Sequence, residues 1–265
     1  MDSYFIAVIM GIVEGLTEFL PVSSTGHLIL TGELLGLHGV STETFEVVIQ
    51  VGAMLAVILC YFNRFWGLLF PSKEYKKSFS GMRGISLLAV TTIPGALLGL
   101  VLHSFIKTLF MPLYVVMALF VGAILMLLVE KINFPVKYQS VDEIDYKAAL
   151  GVGLFQCCAL WPGFSRSAST ICGAMILGLK REVAAEYSFL AAVPIIVGAG
   201  AYDLYKSYMF ITPADIPFFV VGTLVSFISA WLAIKGFIVL LSKIGLVPFA
   251  LYRLLLVPFV YYFMV

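Results

Sequence analysis

In this chain of 265 residues, 62% are hydrophobic and only 12% charged, against about 25% charged in ordinary soluble domains. A mean hydropathy of +1.06 excludes a water-soluble globule, because a fold of this size cannot hide so much apolar surface. Sixteen Lys plus Arg against fifteen Asp plus Glu leave a net charge of +1, so nucleic acid is set aside as a partner for want of a basic footprint.

The chain opens Met1-Asp2 without a basic segment. Its first apolar run is interrupted by Glu14 and Glu18 before any small-residue cleavage site, so a removable signal peptide is not expected. Residues 4–36 are apolar overall but broken by Pro, Ser, Gly and charge, which predicts a re-entrant helical hairpin rather than one span. Glu14 and Glu18 are four apart and share a helix face. Two such carboxylates suit a divalent cation, since Mg²⁺ takes one or two protein carboxylates and fills its shell with water and phosphate; a shared proton or an arginine partner is the alternative. Pro21 then ends the first arm, and Ser23, Ser24 and Thr25 offer hydroxyls where a second helix starts. Free N–H groups and the helix dipole favour a phosphate there, although capping alone would also explain the serines. Ser24 and His27 are three apart, which suits a nucleophile beside a proton acceptor.

Spanning helices of roughly 20 apolar residues are predicted at about 44–62, 85–102 and 113–130, and again at about 183–202, 216–241 and 247–264. Between the two sets, residues 148–179 form a second broken segment, a further re-entrant hairpin. Its centre, Trp161-Pro162-Gly163-Phe164-Ser165-Arg166-Ser167-Ala168-Ser169-Thr170, repeats the hydroxyl-rich turn and adds an arginine. Arg166 matches phosphate oxygens bidentately, and Ser165, Ser167 and Thr170 can donate to the same group; a structural ion pair with Glu14 or Glu18 in the resting protein is the alternative. Glu46 and Gln50 share a face of one span and could line the cavity. Arg253, inside the last span, is expected to pair with Asp203 or Glu186. His38 and His103 are expected at membrane boundaries. Cys60, Cys157, Cys158 and Cys172 lie in apolar stretches and are expected to be small buried hydrophobes.

The second broken segment echoes the first: Phe19-Leu20-Pro21-Val22-Ser23-Ser24 parallels Leu160-Trp161-Pro162-Gly163-Phe164-Ser165, and Leu35-Gly36-Leu37 recurs as Leu177-Gly178-Leu179. Two halves follow, 1–135 and 136–265, each a hairpin plus three spans in one integrated membrane domain. An odd number of crossings inverts the second half. Arg64, Lys73, Lys76, Lys77, Arg83, Lys131, Lys137, Lys147, Lys180, Arg181 and Lys243 fall in one alternating set of connections, and only Lys107 and Lys206 in the other. The basic set is expected in the cytoplasm and both termini outside. Irregular backbone at membrane depth must be buried in protein or line a watery cavity, so the two hairpin tips are expected to meet.

At Glu14-Gly15-Leu16-Thr17-Glu18-Phe19-Leu20-Pro21-Val22-Ser23-Ser24-Thr25-Gly26-His27 and Pro162-Gly163-Phe164-Ser165-Arg166-Ser167-Ala168-Ser169-Thr170, the sequence resembles the undecaprenyl-pyrophosphate phosphatase family of bacteria, known also for bacitracin resistance. The resemblance runs over essentially the whole chain. It implies a multi-pass enzyme of the bacterial cytoplasmic (inner) membrane that converts the C55 isoprenoid lipid pyrophosphate to the monophosphate with a divalent cation (Mg²⁺ or Ca²⁺). It likewise implies an inverted-repeat, all-α fold with a site open to the periplasm. By resemblance Glu14 and Glu18 match the acidic motif, Ser24 the nucleophile, His27 the essential histidine and Arg166 the pyrophosphate-binding arginine. Ser23, Thr25, Gly163, Ser165, Ser167 and Thr170 are the further phosphate-binding candidates.

The expected chemistry is attack by Ser24 on the distal phosphorus, with His27 or Glu18 as base and Arg166 and the cation balancing charge; direct attack by His27 is the alternative. Broken helices in inverted repeats also describe transporters and lipid flippases. A homodimer is left open by the sequence.

Overall fold

The computed structural model describes residues 3–37, 40–71 and 79–264. His38, Lys73, Lys76 and Lys77 lie outside the described residues. The described chain is all helix apart from one isolated parallel bridge, Tyr138 to Leu179.

Helices α1 (Ser3–Thr17) and α2 (Ser24–Leu35) form the first broken pair. Helix α3 (Val40–Cys60) then bends by 82° into α4 (Phe62–Leu69). α5 (Gly81–Val101), the short α6 (His103–Thr108) and α7 (Pro112–Lys131) follow. The second broken pair is α8 (Tyr146–Gln156), continued by a 3₁₀ turn at Cys157–Leu160, and α9 (Arg166–Ile176). α10 (Arg181–Ser207), α11 (Ile216–Ile244) and α12 (Val247–Met264) complete the chain.

Four helices, α5, α7, α10 and α11, are long and apolar enough to cross a membrane, and the bent α3–α4 pair makes a fifth candidate. The sequence expectation of six spans is therefore met in part: the span predicted at about 44–62 turns sharply after Cys60, and α12 falls among the shorter apolar helices. Large apolar side chains point outward along these helices, among them Val101 at 78% and Leu255 at 70% exposure. In water such a surface would be an aggregation site; against lipid it is the expected face. The arms of the broken pairs have 15, 12, 11 and 11 residues, about 16–23 Å at 1.5 Å per residue, short of a hydrocarbon core about 30 Å thick.

Packing interlocks the two halves. α1 lies against α11 and α8 against α5; α3 touches α11 and α10, and α7 packs on α12. The α1–α11 approach depends on small residues spaced by four, as membrane helices use for close contact. A Cβ at Gly15 would stand 2.7 Å from both Ala230 N and Ser229 Cβ. Glu14, the residue before Gly15, is completely buried.

The basic connections converge at one end. Arg64 pairs with Asp142 at 2.8 Å and Glu186 at 3.3 Å, Arg83 donates to Ile144 O at 2.7 Å, and Arg181 pairs with Glu130. Glu130 also accepts from the Leu246 N–H at 3.1 Å, which brings in the α11–α12 turn. Burial alone would push the Asp142 carboxyl up, but hydrogen bonds from Arg64 and the Phe79 N–H, with the Arg64 charge, hold it below the ordinary carboxylate value. All four cysteines are free; only Cys172 is buried and Cys158 is exposed, so the expectation of uniformly buried cysteines is corrected.

Candidate active site

The site is built where the two broken pairs turn. Ser23 caps α2, its Oγ accepting from the Gly26 N–H at 3.3 Å, and Ser165 caps α9, accepting from the Ala168 N–H at 3.2 Å. Both serines have positive φ, 72° and 78°, the only non-glycine residues so placed among the described residues. The structural equivalents are thus Ser23 and Ser165, one position off the register suggested by Ser24 and Ser165. With this register Ser24 and Arg166 occupy the same place, the first residue of the second arm in each half.

Glu18 joins them. Its Oε2 accepts from Ser24 Oγ at 2.6 Å, and its Oε1 from Arg166 Nη2 at 3.2 Å. The guanidinium is also tied back to α10, Nη1 donating to Ser188 O at 3.0 Å and to Ser188 Oγ at 3.3 Å. Arg166 and Glu18 side chains are only 11% and 7% exposed, so the pair sits in a medium where its attraction is strong. Of the two acids named as its alternative partner, Glu18 makes the contact.

Glu14, one turn earlier on α1, is 0% exposed, and neither carboxylate oxygen has a hydrogen-bond partner among the described residues. It lies within electrostatic reach of Glu18, Glu46 and Arg166. Among the described residues no group of three or more His, Cys, Asp or Glu is gathered to hold a metal.

Other candidates serve the scaffold of the tips. Ser167 Oγ donates to Leu20 O at 2.8 Å, crossing from one tip to the other, and stands 3.1 Å from Ser165 Oγ. Thr170 Oγ1 donates to Arg166 O at 2.8 Å and lies 2.7 Å from Ser188 Oγ. Gly163 turns with φ 94°, and a Cβ there would stand 2.5 Å from Val115 O. Thr25 is half-buried on the turn after Ser24.

His27 departs from expectation. Its Nδ1 is 2.8 Å from Ser23 O and its Nε2 2.7 Å from Tyr252 Oη, with the two rings stacked at 5.6 Å. Both ring nitrogens are engaged away from Ser24, whose proton is directed at Glu18. Tyr252 and Ser188 are not legible as site residues, since each lies far in sequence from both tips and nothing in its local pattern points to them. Arg253 corrects another expectation: it pairs with neither Asp203 nor Glu186 but donates to backbone carbonyls, and Glu186 is taken by Arg64.

Fold and site together define a polytopic all-α membrane protein whose interior holds a carboxylate in contact with both a hydroxyl and a guanidinium. The chain belongs to the family described as bacitracin resistance protein BacA, whose sequence profile matches residues 7–259. It is 59% identical over 264 residues to a protein of Maridesulfovibrio salexigens, covering 99% of both chains. It is 58% identical over 266 residues to one of Desulfovibrio desulfuricans, covering 100% of both. A relative from Lawsonia intracellularis is 51% identical over 258 residues, with 97% of this chain and 96% of that one covered. Each of these relatives is described as undecaprenyl-diphosphatase.

Proposed function

We propose that this protein is an enzyme of the bacterial inner membrane that hydrolyses undecaprenyl pyrophosphate to undecaprenyl phosphate and inorganic phosphate. The contact that carries this reading is Glu18 bridging Ser24 and Arg166. A hydroxyl donating to a carboxylate is a nucleophile beside its base, and a guanidinium within reach of the same carboxylate can neutralise phosphoryl oxygens. Ser24 Oγ attacks the terminal phosphorus while its proton passes to Glu18. The bond from that phosphorus to the bridging oxygen breaks, and undecaprenyl phosphate leaves. Water then hydrolyses the phosphoserine, releasing inorganic phosphate and regenerating Ser24.

In this reading Arg166 binds the pyrophosphate, and the capped turns at Ser23 and Ser165, with Thr25, Gly163, Ser167 and Thr170, shape the cradle. His27, held by Ser23 and Tyr252, borders it. Glu14 and Glu18 would hold the divalent cation, Mg²⁺ or Ca²⁺; the support is that both Glu14 oxygens are buried without a hydrogen-bond donor among the described residues, an arrangement costly for a lone carboxylate. When bound, the cation supplies positive charge against the pyrophosphate.

The topology proposed is an inverted repeat, 1–135 and 136–265, with re-entrant hairpins at about 4–36 and 148–179. Its support is reciprocal packing: the first arm of each hairpin lies on a span of the other half, α1 on α11 and α8 on α5. The convergence of Arg64, Arg83 and Arg181 with the α11–α12 turn at one end supports a cytoplasmic assignment for that end, both termini and the site facing the periplasm.

The test is phosphate release from undecaprenyl pyrophosphate by purified protein in detergent, where no sidedness exists. Wild type should turn over, Ser24→Ala should lose about 10³-fold or more, and chelation should abolish activity until Mg²⁺ or Ca²⁺ is restored. Near wild-type release by Ser24→Ala with loss in His27→Ala would replace the nucleophile. Lipid transfer across vesicles without phosphate release would replace the enzyme with a flippase.

A further inference from the structure

Arg253 is 0% exposed in α12, and a cation at such depth is expensive unless its donors are satisfied. A guanidinium has five N–H groups, and here they meet five carbonyls. Nε donates to Leu119 O at 3.2 Å and Nη2 to Ala118 O at 3.1 Å, both on α7. The remaining donors reach the two turns: Nη1 to Pro21 O at 3.4 Å and Phe164 O at 2.9 Å, and Nη2 to Gly163 O at 3.0 Å.

Pro21 and Gly163 are equivalent in the register set by Ser23 and Ser165. Ser24 lies three residues beyond the first carbonyl, and Arg166 three beyond the second. One planar, rigid group therefore grips matching points of both tips, each a single turn of chain from a residue assigned to the reaction. A helix bundle has no packing need for this charge, because apolar residues of similar volume stabilise a core as well or better. Among the described residues no carboxylate is one of its hydrogen-bond partners, so an ion pair does not account for it either.

We infer that Arg253 is a positioning residue: without touching substrate, it fixes the separation of the two hairpin tips and so the placement of Ser24 against Arg166. The inference rests on the phosphatase reading above. Displacement of reacting groups by about 1 Å costs on the order of 10²-fold in rate, which sets the scale of the effect.

Two routes disturb the clamp differently. Arg253→Lys keeps the charge but offers three donors instead of five. Gly122→Ala leaves Arg253 in place and crowds it from α7, since the new Cβ would stand 2.9 Å from Arg253 Cζ and 2.9 Å from Phe164 O. Arg253→Met removes the donors entirely. Each is purified, checked for a monodisperse folded species, and assayed for phosphate release from undecaprenyl pyrophosphate. In the folded fraction kcat should fall about 10–100-fold for Arg253→Lys and Gly122→Ala and further for Arg253→Met, with KM within about threefold of wild type.

A folded variant of Arg253 with kcat within about twofold of wild type overturns the inference, as does a loss confined to KM, which would mark a substrate contact. Failure of all three variants to fold overturns it too, making Arg253 a residue of assembly alone. Wild-type protein that releases no phosphate defeats the phosphatase reading itself, so the two failures are distinct.

Discussion

Replacing Glu18 by Gln removes the charge on which its contacts with Ser24 and Arg166, and its proposed hold on the cation, depend. In the structure one oxygen accepts from Ser24 at 2.6 Å and the other from Arg166 at 3.2 Å. A glutamine has one acceptor oxygen and one NH₂. If the oxygen faces Arg166, the NH₂ faces Ser24 and cannot take its proton. If it faces Ser24, two donors oppose each other at Arg166, and the guanidinium loses its counter-charge in a site only 11% exposed. Loss of a positioned base costs about 10²–10⁴-fold, equivalent to about 3–5 kcal/mol in the barrier. The assay is kcat and KM for phosphate release by Glu18→Gln, Ser24→Ala and the double variant. Because Glu18 as base acts through Ser24 but also meets Arg166 and would help hold the cation, the double variant should be worse than Ser24→Ala alone, yet by less than the product of the single losses. Glu18→Gln retaining more than about a tenth of wild-type kcat, against the 10²-fold minimum expected of a base, would refute the assignment. Losses that multiply in the double variant would refute the coupling.

Three further outcomes follow from named contacts. Tyr252→Phe removes the 2.7 Å contact to His27 Nε2 but leaves the stacked ring, so kcat should fall about 2–10-fold, the worth of one net hydrogen bond; an unchanged rate would show that His27 needs no such support. Gly15→Ala drives a methyl toward Ala230 N and Ser229 Cβ and should destabilise the protein by about 1–3 kcal/mol, read as a lower Tm in detergent; an equal Tm would deny the close α1–α11 approach. The lowered Asp142 carboxyl contributes stability that is present above its unfolded value of about 3.9 and disappears as pH falls through its folded value. Wild-type Tm should therefore drop below about pH 4, whereas Asp142→Asn should start lower at pH 7 and show a shallower acid decline; equal Tm values at pH 7 would refute it.

Much of this architecture is legible from the sequence, because lipid as solvent leaves helices and closed barrels available and apolar runs of about 20 residues select helices. The breaks at Pro21 and Gly163 stand out for the same reason: every polar residue in so apolar a chain is conspicuous. Legibility ended where contacts depend on backbone. Arg253 is visible as an intramembrane cation whose expected partners are carboxylates, whereas five carbonyls on three separate segments carry no sequence signal. His27 was placed beside Ser24 by helical spacing, but a side chain three residues away can turn to either neighbour, and Tyr252, remote in sequence, decides which. The one-residue slip between the tips has a related cause. Matching identities aligned Ser24 with Ser165, whereas the backbone aligns the two residues that cap and carry positive φ.

Those capping serines explain why the tips can hold their geometry before substrate arrives. A non-glycine residue in a sparsely populated backbone region costs about 1–3 kcal/mol, and Ser23 and Ser165 both sit there at φ 72° and 78°. Glycine would relieve that strain but has no Oγ, and each Oγ satisfies an N–H at a helix start, Gly26 in one case and Ala168 in the other. The sharp turn also sets the direction in which the next residue leaves, which is Ser24 in one half and Arg166 in the other. Surrounding contacts hold the strained form: Ser167 bonds Leu20 O across the tips, and Arg253 bonds Pro21 O and Gly163 O. Donors aimed before the reaction need no reorganisation during it. The cost of aiming Ser24 and Arg166 at one carboxylate therefore falls on folding and leaves the barrier to phosphoryl transfer free of it.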